Sequence, residues 1–177
     1  MNERHLIALL AARLPRVSVR AGRLDGDTEV LEVPASSLVP VGRFLRSDAD
    51  AAYDLVDLTA IDRWPTTAGR PRFLVVVLLC SRTHRSRARL EIEVDDDVSA
   101  WPSLSAVWPV AAIYEREVMD LLGLHPDGHP NPRRLLLPES FAGHPLRLDY
   151  RMTKYQPQVA PPERGAGVVI DVDGGSS

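Results

Sequence analysis

The spacing of hydrophobic residues predicts three helices in this chain. Apolar residues between positions 6 and 14 recur at helical intervals, and a proline directly after them ends the helix. A second helix is predicted over residues 37–46, with Pro40 in its first turn, where proline is tolerated. A third is predicted between Pro109, which suits a first turn, and Gly123, which suits the position just past a helix end.

Five further runs have the alternation or the continuous hydrophobicity of β-strands, and they cover residues 17–19, 30–33, 53–61, 73–80 and 89–94. An Asp25-Gly26-Asp27 turn is predicted between the first two runs. The run 73–80 is continuously apolar, as expected of a strand covered on both faces. The run 89–94 alternates strictly, so one of its faces points inward. We therefore predict an α+β fold of two layers, in which a mixed sheet of about five strands carries the helices on one side.

The distribution of proline predicts where the compact part of the chain ends. Eight of the 15 prolines lie at or after Pro126, and proline removes a backbone donor and favours extended geometry. We predict a core domain over residues 1–122, an extended arm over 123–155 that binds a partner, and a flexible tail rich in proline and glycine over 156–177.

Composition excludes several classes of protein. The net charge of -3 argues against a nucleic-acid-binding protein, because such proteins are usually basic. The longest apolar run falls far short of the ~18–20 residues of a membrane span. One cysteine, Cys80, excludes an iron–sulfur cluster or a cysteine-rich zinc site built by this chain alone, and the lack of a disulfide fits a cytoplasmic protein.

The third helix carries an acidic residue that needs a partner. At ~100° per residue Glu117 falls within an apolar stripe, whereas Glu115, Arg116 and Asp120 lie off it, and the last two form an i,i+4 pair. A buried carboxylate must pair or protonate. Two interpretations follow: a structural lock with an arginine, or a general acid or base with a raised pKa. The candidate partners are Arg133, Arg134 and Arg147.

Histidines cluster after that helix and suggest a second, different chemistry. His125, Asp127, His129 and His144 lie within twenty residues, and imidazole with carboxylate can bind a metal. A small metal-dependent hydrolase is therefore an alternative function. The competing interpretation is structural, because each of these histidines precedes a proline that favours an extended loop.

The arginine pair at 133–134 precedes an apolar triplet, Leu135-Leu136-Leu137. Two arginines can hold a phosphate or an acidic group of a partner, whereas a solvated pair would do neither. The triplet must bury against something, which favours binding of a partner. A free-standing peptide-binding module is a third possibility.

Several segments together resemble a known family. They are Glu115-Arg116-Glu117-Val118-Met119-Asp120-Leu121-Leu122-Gly123, Gly128-His129-Pro130, Arg133-Arg134-Leu135-Leu136-Leu137-Pro138 and Gly143-His144-Pro145-Leu146-Arg147-Leu148-Asp149-Tyr150. Their order and spacing are similar to the signature region of the thirty-kilodalton subunit family of respiratory complex I, the C-type subunit of NADH–quinone oxidoreductase. The resemblance covers roughly residues 52–150, and relatives occur in energy-converting hydrogenases.

The resemblance implies a non-catalytic accessory subunit with no cofactor of its own. Such a subunit lies peripherally on the cytoplasmic face of the membrane, against a large quinone-site or nickel–iron subunit and iron–sulfur subunits. NAD, quinone, FMN and iron–sulfur clusters would belong to those partners. The residues expected to set the path of the arm or to contact a partner are Glu115, Arg116, Glu117, Asp120, His129, Arg133, Arg134, His144, Arg147 and Asp149.

Overall fold

Three helices and seven strands form the part of the chain that the structure, a computed structural model, describes: residues 5–22, 28–66, 69–96 and 99–151. In chain order they are α1 (His5–Arg13), β1 (Arg20–Ala21), β2 (Thr28–Glu32), α2 (Ala35–Ser47), β3 (Asp54–Asp62), β4 (Phe73–Ser81), β5 (Ser86–Val94), β6 (Ala100–Pro102), α3 (Ala111–Leu122) and β7 (His125–Asp127). No helix among these residues is long and apolar enough to cross a membrane.

The main sheet has five strands in the order β1-β2-β5-β4-β3. The β2–β5 pair is parallel and the other pairs are antiparallel, so the predicted mixed sheet is confirmed. Residues 82–85, which connect β4 to β5, form a tight turn, because Ser81 pairs with Ser86 across it. The turn predicted at residues 25–27 lies outside the described residues.

All three helices pack on one face of this sheet. Alternate residues of β4 and β5, such as Val77 and Leu90, share one core cluster with Leu10 of α1, Leu38 of α2 and Val118 of α3. The two-layer α+β prediction is therefore confirmed.

The opposite face of the sheet corrects one expectation. The prediction that residues 73–80 are covered on both faces is confirmed only in part: Val76 is 5% exposed on this face, whereas Leu74 and Leu78 are only partly buried. The register explains this, because Glu93 lies beside Leu74 and Arg89 lies beside Leu78. The aliphatic stems of such charged side chains can shield the leucines in part, and Arg89 Nη2 is paired with Glu91 Oε1 at 2.8 Å.

Pro40 also differs from its predicted position. Helix α2 begins at Ala35, so Pro40 lies in the second turn rather than the first. Proline there leaves the carbonyl four residues earlier without its helical donor. That residue, Ser36, is exposed, as is Pro40, so water can supply the missing hydrogen bond.

A second, two-stranded sheet brackets helix α3. Strand β6 precedes the helix and β7 follows it, and the two are parallel, with Trp101 opposite Pro126. The segment predicted as the start of the arm thus begins with a strand. The domain boundaries at 122 and 155 stay predictions, and the predicted tail lies outside the described residues.

Gly123 ends α3 as predicted. Its φ of 72° is left-handed, and its N–H donates to the Met119 carbonyl. A Cβ there would lie 2.5 Å from the imidazole of His144, so both conformation and space favour glycine.

Gly123→Ala should therefore lower the free energy of unfolding by more than the ~1–2 kcal/mol of a left-handed alanine alone. Gly128→Ala is the matched control, because Gly128 has a φ of +82° but no atom lies within 4 Å of the place that an alanine methyl group would take. Urea denaturation checks both variants. Equal losses would show that contact with His144 does not matter.

Candidate functional site: the arm on helix α3

Residues 128–151 are the described part of the predicted arm that follows β7, and "the arm" refers to them from here on. They contain no helix or strand and run along α3 from its N-terminal to its C-terminal end. Backbone groups without a helix or sheet need other partners. The backbone groups of residues 133–137 and 146 find such partners on α3, whereas several others bond within the arm itself.

At the N-terminal end of α3, the carboxylate of Glu115 is fully buried. It accepts hydrogen bonds from the Ser103 hydroxyl and the Leu104 backbone N–H, both at 2.6 Å. Burial raises the pKa of Glu115, while these hydrogen bonds oppose the rise. This carboxylate fixes the segment that joins β6 to α3.

His129 connects the first residues of the arm to the same end of the helix. Its Nε2 lies 2.9 Å from the Ala112 carbonyl, and its Nδ1 accepts from the Asn131 N–H at 2.9 Å. These partners fit the neutral tautomer with the proton on Nε2. Both ring nitrogens are therefore engaged in holding the arm.

Asp120 lies at the centre of the arm's attachment. Its buried Oδ2 accepts from the successive backbone N–H groups of residues 135, 136 and 137 at 3.0, 2.8 and 2.9 Å. Its Oδ1 accepts from Arg134 Nη1 at 2.7 Å. Burial alone would raise the pKa of Asp120, but the hydrogen bonds from Leu137, Leu136, Arg134 and Leu135 outweigh it and lower the pKa. The carboxylate is thus held as an anion by a nest of donors.

Arg116 holds the backbone just before that nest. Its Nε donates to the Arg133 carbonyl at 2.9 Å and its Nη2 to the Arg134 carbonyl at 2.7 Å. The structure gives no Arg116–Asp120 ion pair among its described contacts, because each of these side chains is turned to the arm instead.

The later part of the arm caps the C-terminal end of α3. A helix leaves its last carbonyls without helical donors. Here His144 Nδ1 donates to the Asp120 carbonyl at 2.9 Å, the Leu146 N–H to Leu121 at 3.1 Å, and Arg147 Nε to Leu122 at 2.6 Å. Burial lowers the pKa of His144, in agreement with a neutral ring.

The end of the arm is bound to the sheet through Arg72. This guanidinium is 4% exposed and makes paired hydrogen bonds to both Asp62 and Asp149, with a further bond to Asp96. The hydrogen bonds to Asp62 and then Asp149 raise the pKa of Arg72. Asp149 has a lowered pKa, chiefly because of Arg72. Arg147 joins this cluster at 3.4 Å from Asp96.

The prediction for Glu117 is wrong. Glu117 is exposed, whereas Glu115 and Asp120, predicted to lie off the buried stripe, are buried. The helix turns Ala111, Val118 and Leu122 to the core instead, and the apolar residues near Glu117 stay outside: Val110 is 44% and Ile113 56% exposed.

The expected pairing of acids with arginines is found in part. Asp120 pairs with Arg134, but Glu115 is bound by Ser103 and Leu104, and Arg147 reaches Asp96 and a helix carbonyl. Arg133 is exposed, with its carbonyl held by Arg116.

The histidines do not form a metal site. His125 and Asp127 are exposed on β7, while His129 and His144 bind α3 carbonyls. Within the described ranges, no three His, Cys, Asp or Glu side chains are placed to hold a metal ion. The hydrolase alternative gains no support.

Sequence reasoning missed Asp62, Arg72, Asp96 and Ser103 as site residues, although all four lie within the stretch 52–150 that resembles the family. One signal was available for Arg72: a charged residue directly before the most apolar strand must either leave the sheet or find acidic partners.

Comparison with known proteins identifies the family. Residues 31–156 match the family described as "Respiratory-chain NADH dehydrogenase, 30 Kd subunit". The chain belongs to this family.

Individual relatives are similar over most of this chain. The NADH-quinone oxidoreductase C subunit of Roseiflexus sp. (strain RS-1) is 40% identical over 142 residues, 79% of each chain. The C subunit of Caulobacter vibrioides is 41% identical over 150 residues, 82% of this chain and 72% of the relative. The C/D subunit of Methylococcus capsulatus is 42% identical over 138 residues, 72% of this chain and 23% of that longer protein.

Solved structures share the fold of this chain. "Nqo5 of the trypsin-resistant fragment (1-134)" has a TM-score of 0.54 at 23% identity and covers 72% of this chain and 98% of that one. A chain of the "membrane-bound sulfane sulfur reductase (MBS), an archaeal respiratory membrane complex" has a TM-score of 0.65 at 20% identity, with 84% and 85% covered. At these identities the likeness is one of fold.

Asp120→Asn should lower the free energy of unfolding by about 3 kcal/mol. The asparagine amide has only one acceptor oxygen and no charge, so it cannot satisfy three N–H groups and a guanidinium together. Glu117→Gln, at the exposed position three residues away, should change it by less than ~0.5 kcal/mol. Urea denaturation of both variants at neutral pH measures the difference. Similar values would contradict the central role of Asp120.

Glu115 and Asp120 should give opposite pH dependences. A raised pKa means that Glu115 contributes its full stability below its ordinary pKa and loses it as pH rises through the folded value. Glu115→Gln should therefore gain stability relative to the parent as pH rises above the ordinary glutamate pKa of about 4.3.

The lowered pKa of Asp120 works in the other direction. Its contribution is present above its ordinary pKa and is lost as pH falls through the folded value. The penalty of Asp120→Asn should shrink below about pH 4. Urea unfolding over a pH series tests both variants, and two parallel profiles would refute the assignment.

Proposed function

We propose that this chain is the C-type accessory subunit of a membrane-associated NADH–quinone oxidoreductase, where it supports assembly and electron transfer to quinone. The observation that carries the proposal is 40% identity to the Roseiflexus relative over 79% of both chains. The family match over residues 31–156 includes α3 and the described arm.

The geometry of the site supports a scaffold. The carboxylates of Glu115 and Asp120 accept hydrogen bonds from donors of the same chain. The guanidinium of Arg72 donates to acceptors of the same chain. Groups saturated in this way can hold a backbone in place but have no free position for a substrate. The arrangement therefore determines the shape of a surface.

The proposed neighbour is the large quinone-site subunit. In the Methylococcus relative, a region like this chain is part of one longer protein that is named as both C and D, so the two subunits are linked there. The arm, with its exposed Arg133 and with Glu117 on the adjoining helix, is the proposed contact surface. Iron–sulfur subunits of the same complex complete the proposed surroundings.

The proposed location is the cytoplasmic face of the membrane, within the peripheral arm of the complex. NAD, FMN, quinone and iron–sulfur clusters are assigned to partner subunits. The alternative function, as the equivalent subunit of a nickel–iron hydrogenase complex, has weaker support. The similarity to a chain of an archaeal respiratory membrane complex is at 20% identity and concerns the fold.

Affinity capture of the tagged chain from gently solubilised membranes of its host tests the proposal. We expect the large subunit and iron–sulfur subunits to be captured together, and we expect the captured material to reduce quinone with NADH. The Asp120→Asn bait should capture at least tenfold less complex, because its arm is no longer held. The tag alone is the control for background.

Capture of the full-length chain without any subunit of an oxidoreductase would overturn the proposed function. Equal capture by the parent and the Asp120→Asn bait would show that the partner contacts do not depend on the arm.

A further inference from the structure

Two exposed apolar residues lie on either side of one buried carboxylate. Trp64 is 46% and Leu148 63% exposed. The Trp64 N–H donates to Asp62 Oδ1 at 3.0 Å, and the Leu148 N–H donates to Asp62 Oδ2 at 2.9 Å. The Asp62 side chain is itself only 2% exposed. A loop residue and an arm residue that are far apart in sequence are thus brought to one place on the surface.

The position of both residues is fixed from below. The guanidinium of Arg72 lies 4.8 Å from the centroid of the Trp64 ring, within cation–π distance. The same guanidinium binds Asp149, the residue after Leu148, through two hydrogen bonds. Side chains that are already ordered lose little conformational entropy on binding.

We propose that Trp64 and Leu148, here called the platform, form the docking site for an apolar segment of the large subunit. This inference rests on the proposed function, because it takes its partner from there. Tryptophan is among the residues that contribute most to binding energy at protein interfaces, above all where it is rigid and surrounded by contacts that exclude water.

The position of the platform along the chain favours the large subunit as its occupant. Leu148 lies near the end of the family match at residue 156. In the Methylococcus relative, a region like this chain belongs to one longer protein that is named as both C and D, so the two subunits are covalently linked there. This linkage favours the large subunit as the partner that covers a platform near the end of the matched segment.

The energetic cost of the cluster also requires an explanation. Placing a guanidinium with 4% exposure among three carboxylates carries a desolvation penalty that an apolar cluster would avoid. The cluster holds two apolar side chains in water, where the isolated chain gains nothing from their burial. Burial under a partner would recover that free energy.

The affinity of the purified full-length chain for the large subunit of its host tests the platform. Trp64→Ser combined with Leu148→Ser should raise Kd at least tenfold. The control is Val56→Ser, at a residue that is 54% exposed near the other end of β3. The control should change Kd less than twofold, and thermal unfolding must show that both variants are folded.

Quenching of tryptophan fluorescence by acrylamide identifies the occupant. The signal lost in a Trp64→Phe variant reports on Trp64, since Trp101 and Trp108 are buried. We expect Trp64 to be quenched in the isolated chain and protected when the large subunit is added. Protection already present in the isolated chain would assign the platform to the chain's own tail or to a second copy, and would overturn the inference.

The two proposals fail in different ways. If the parent chain does not bind the large subunit, the proposed function fails and the platform fails with it. If the parent binds and the platform variant binds equally well, only the platform inference fails. Equal weakening by the platform variant and the control would also overturn it, because the effect would then not be local.

Discussion

The carboxylate of Asp120 is the contact on which the path of the arm depends. Four donors converge on it, and all four belong to residues 134–137. Three consecutive N–H groups that face one anion leave their side chains to point away from it. This explains why Leu136, in the middle of an apolar triplet, is 61% exposed.

Helix α3 has three different faces, and each has its own chemistry. Ala111, Val118 and Leu122 face the core, while Arg116 and Asp120 face the arm. The third face carries Val110 and Ile113 and is open to solvent. One helix of 12 residues thereby connects the sheet, the arm and an outer surface.

These faces explain how far sequence reasoning could go. Strand order within the hairpin of β4 and β5, the end of α3 at Gly123 and the sheet type follow from local patterns of hydrophobicity and turn residues. The rotation of α3 does not, because apolar residues occur on both its buried and its open face. The sequence pattern therefore favoured Glu117, whereas the buried acids are Glu115 and Asp120. The partners of Glu115, Ser103 and Leu104, precede the helix. The Arg72 cluster was beyond reach for a different reason: its acids come from β3, from the loop after β5 and from the arm, and Asp149 lies 77 residues from Arg72. No local pattern reports a contact over such a separation, and only the resemblance to a family indicated that the final Asp-Tyr of the arm has a role.

The capping of α3 by the arm has a consequence for local unfolding. The carbonyls of Asp120, Leu121 and Leu122 take their donors from His144, Leu146 and Arg147. Separation of the arm would leave these carbonyls without their protein donors and the Asp120 carboxylate without its nest at the same moment. We therefore expect the last turn of the helix and the arm to open and close as one cooperative unit, although His144 follows Asp120 by 24 residues. A partner that binds the arm would therefore also stabilise the last turn of α3.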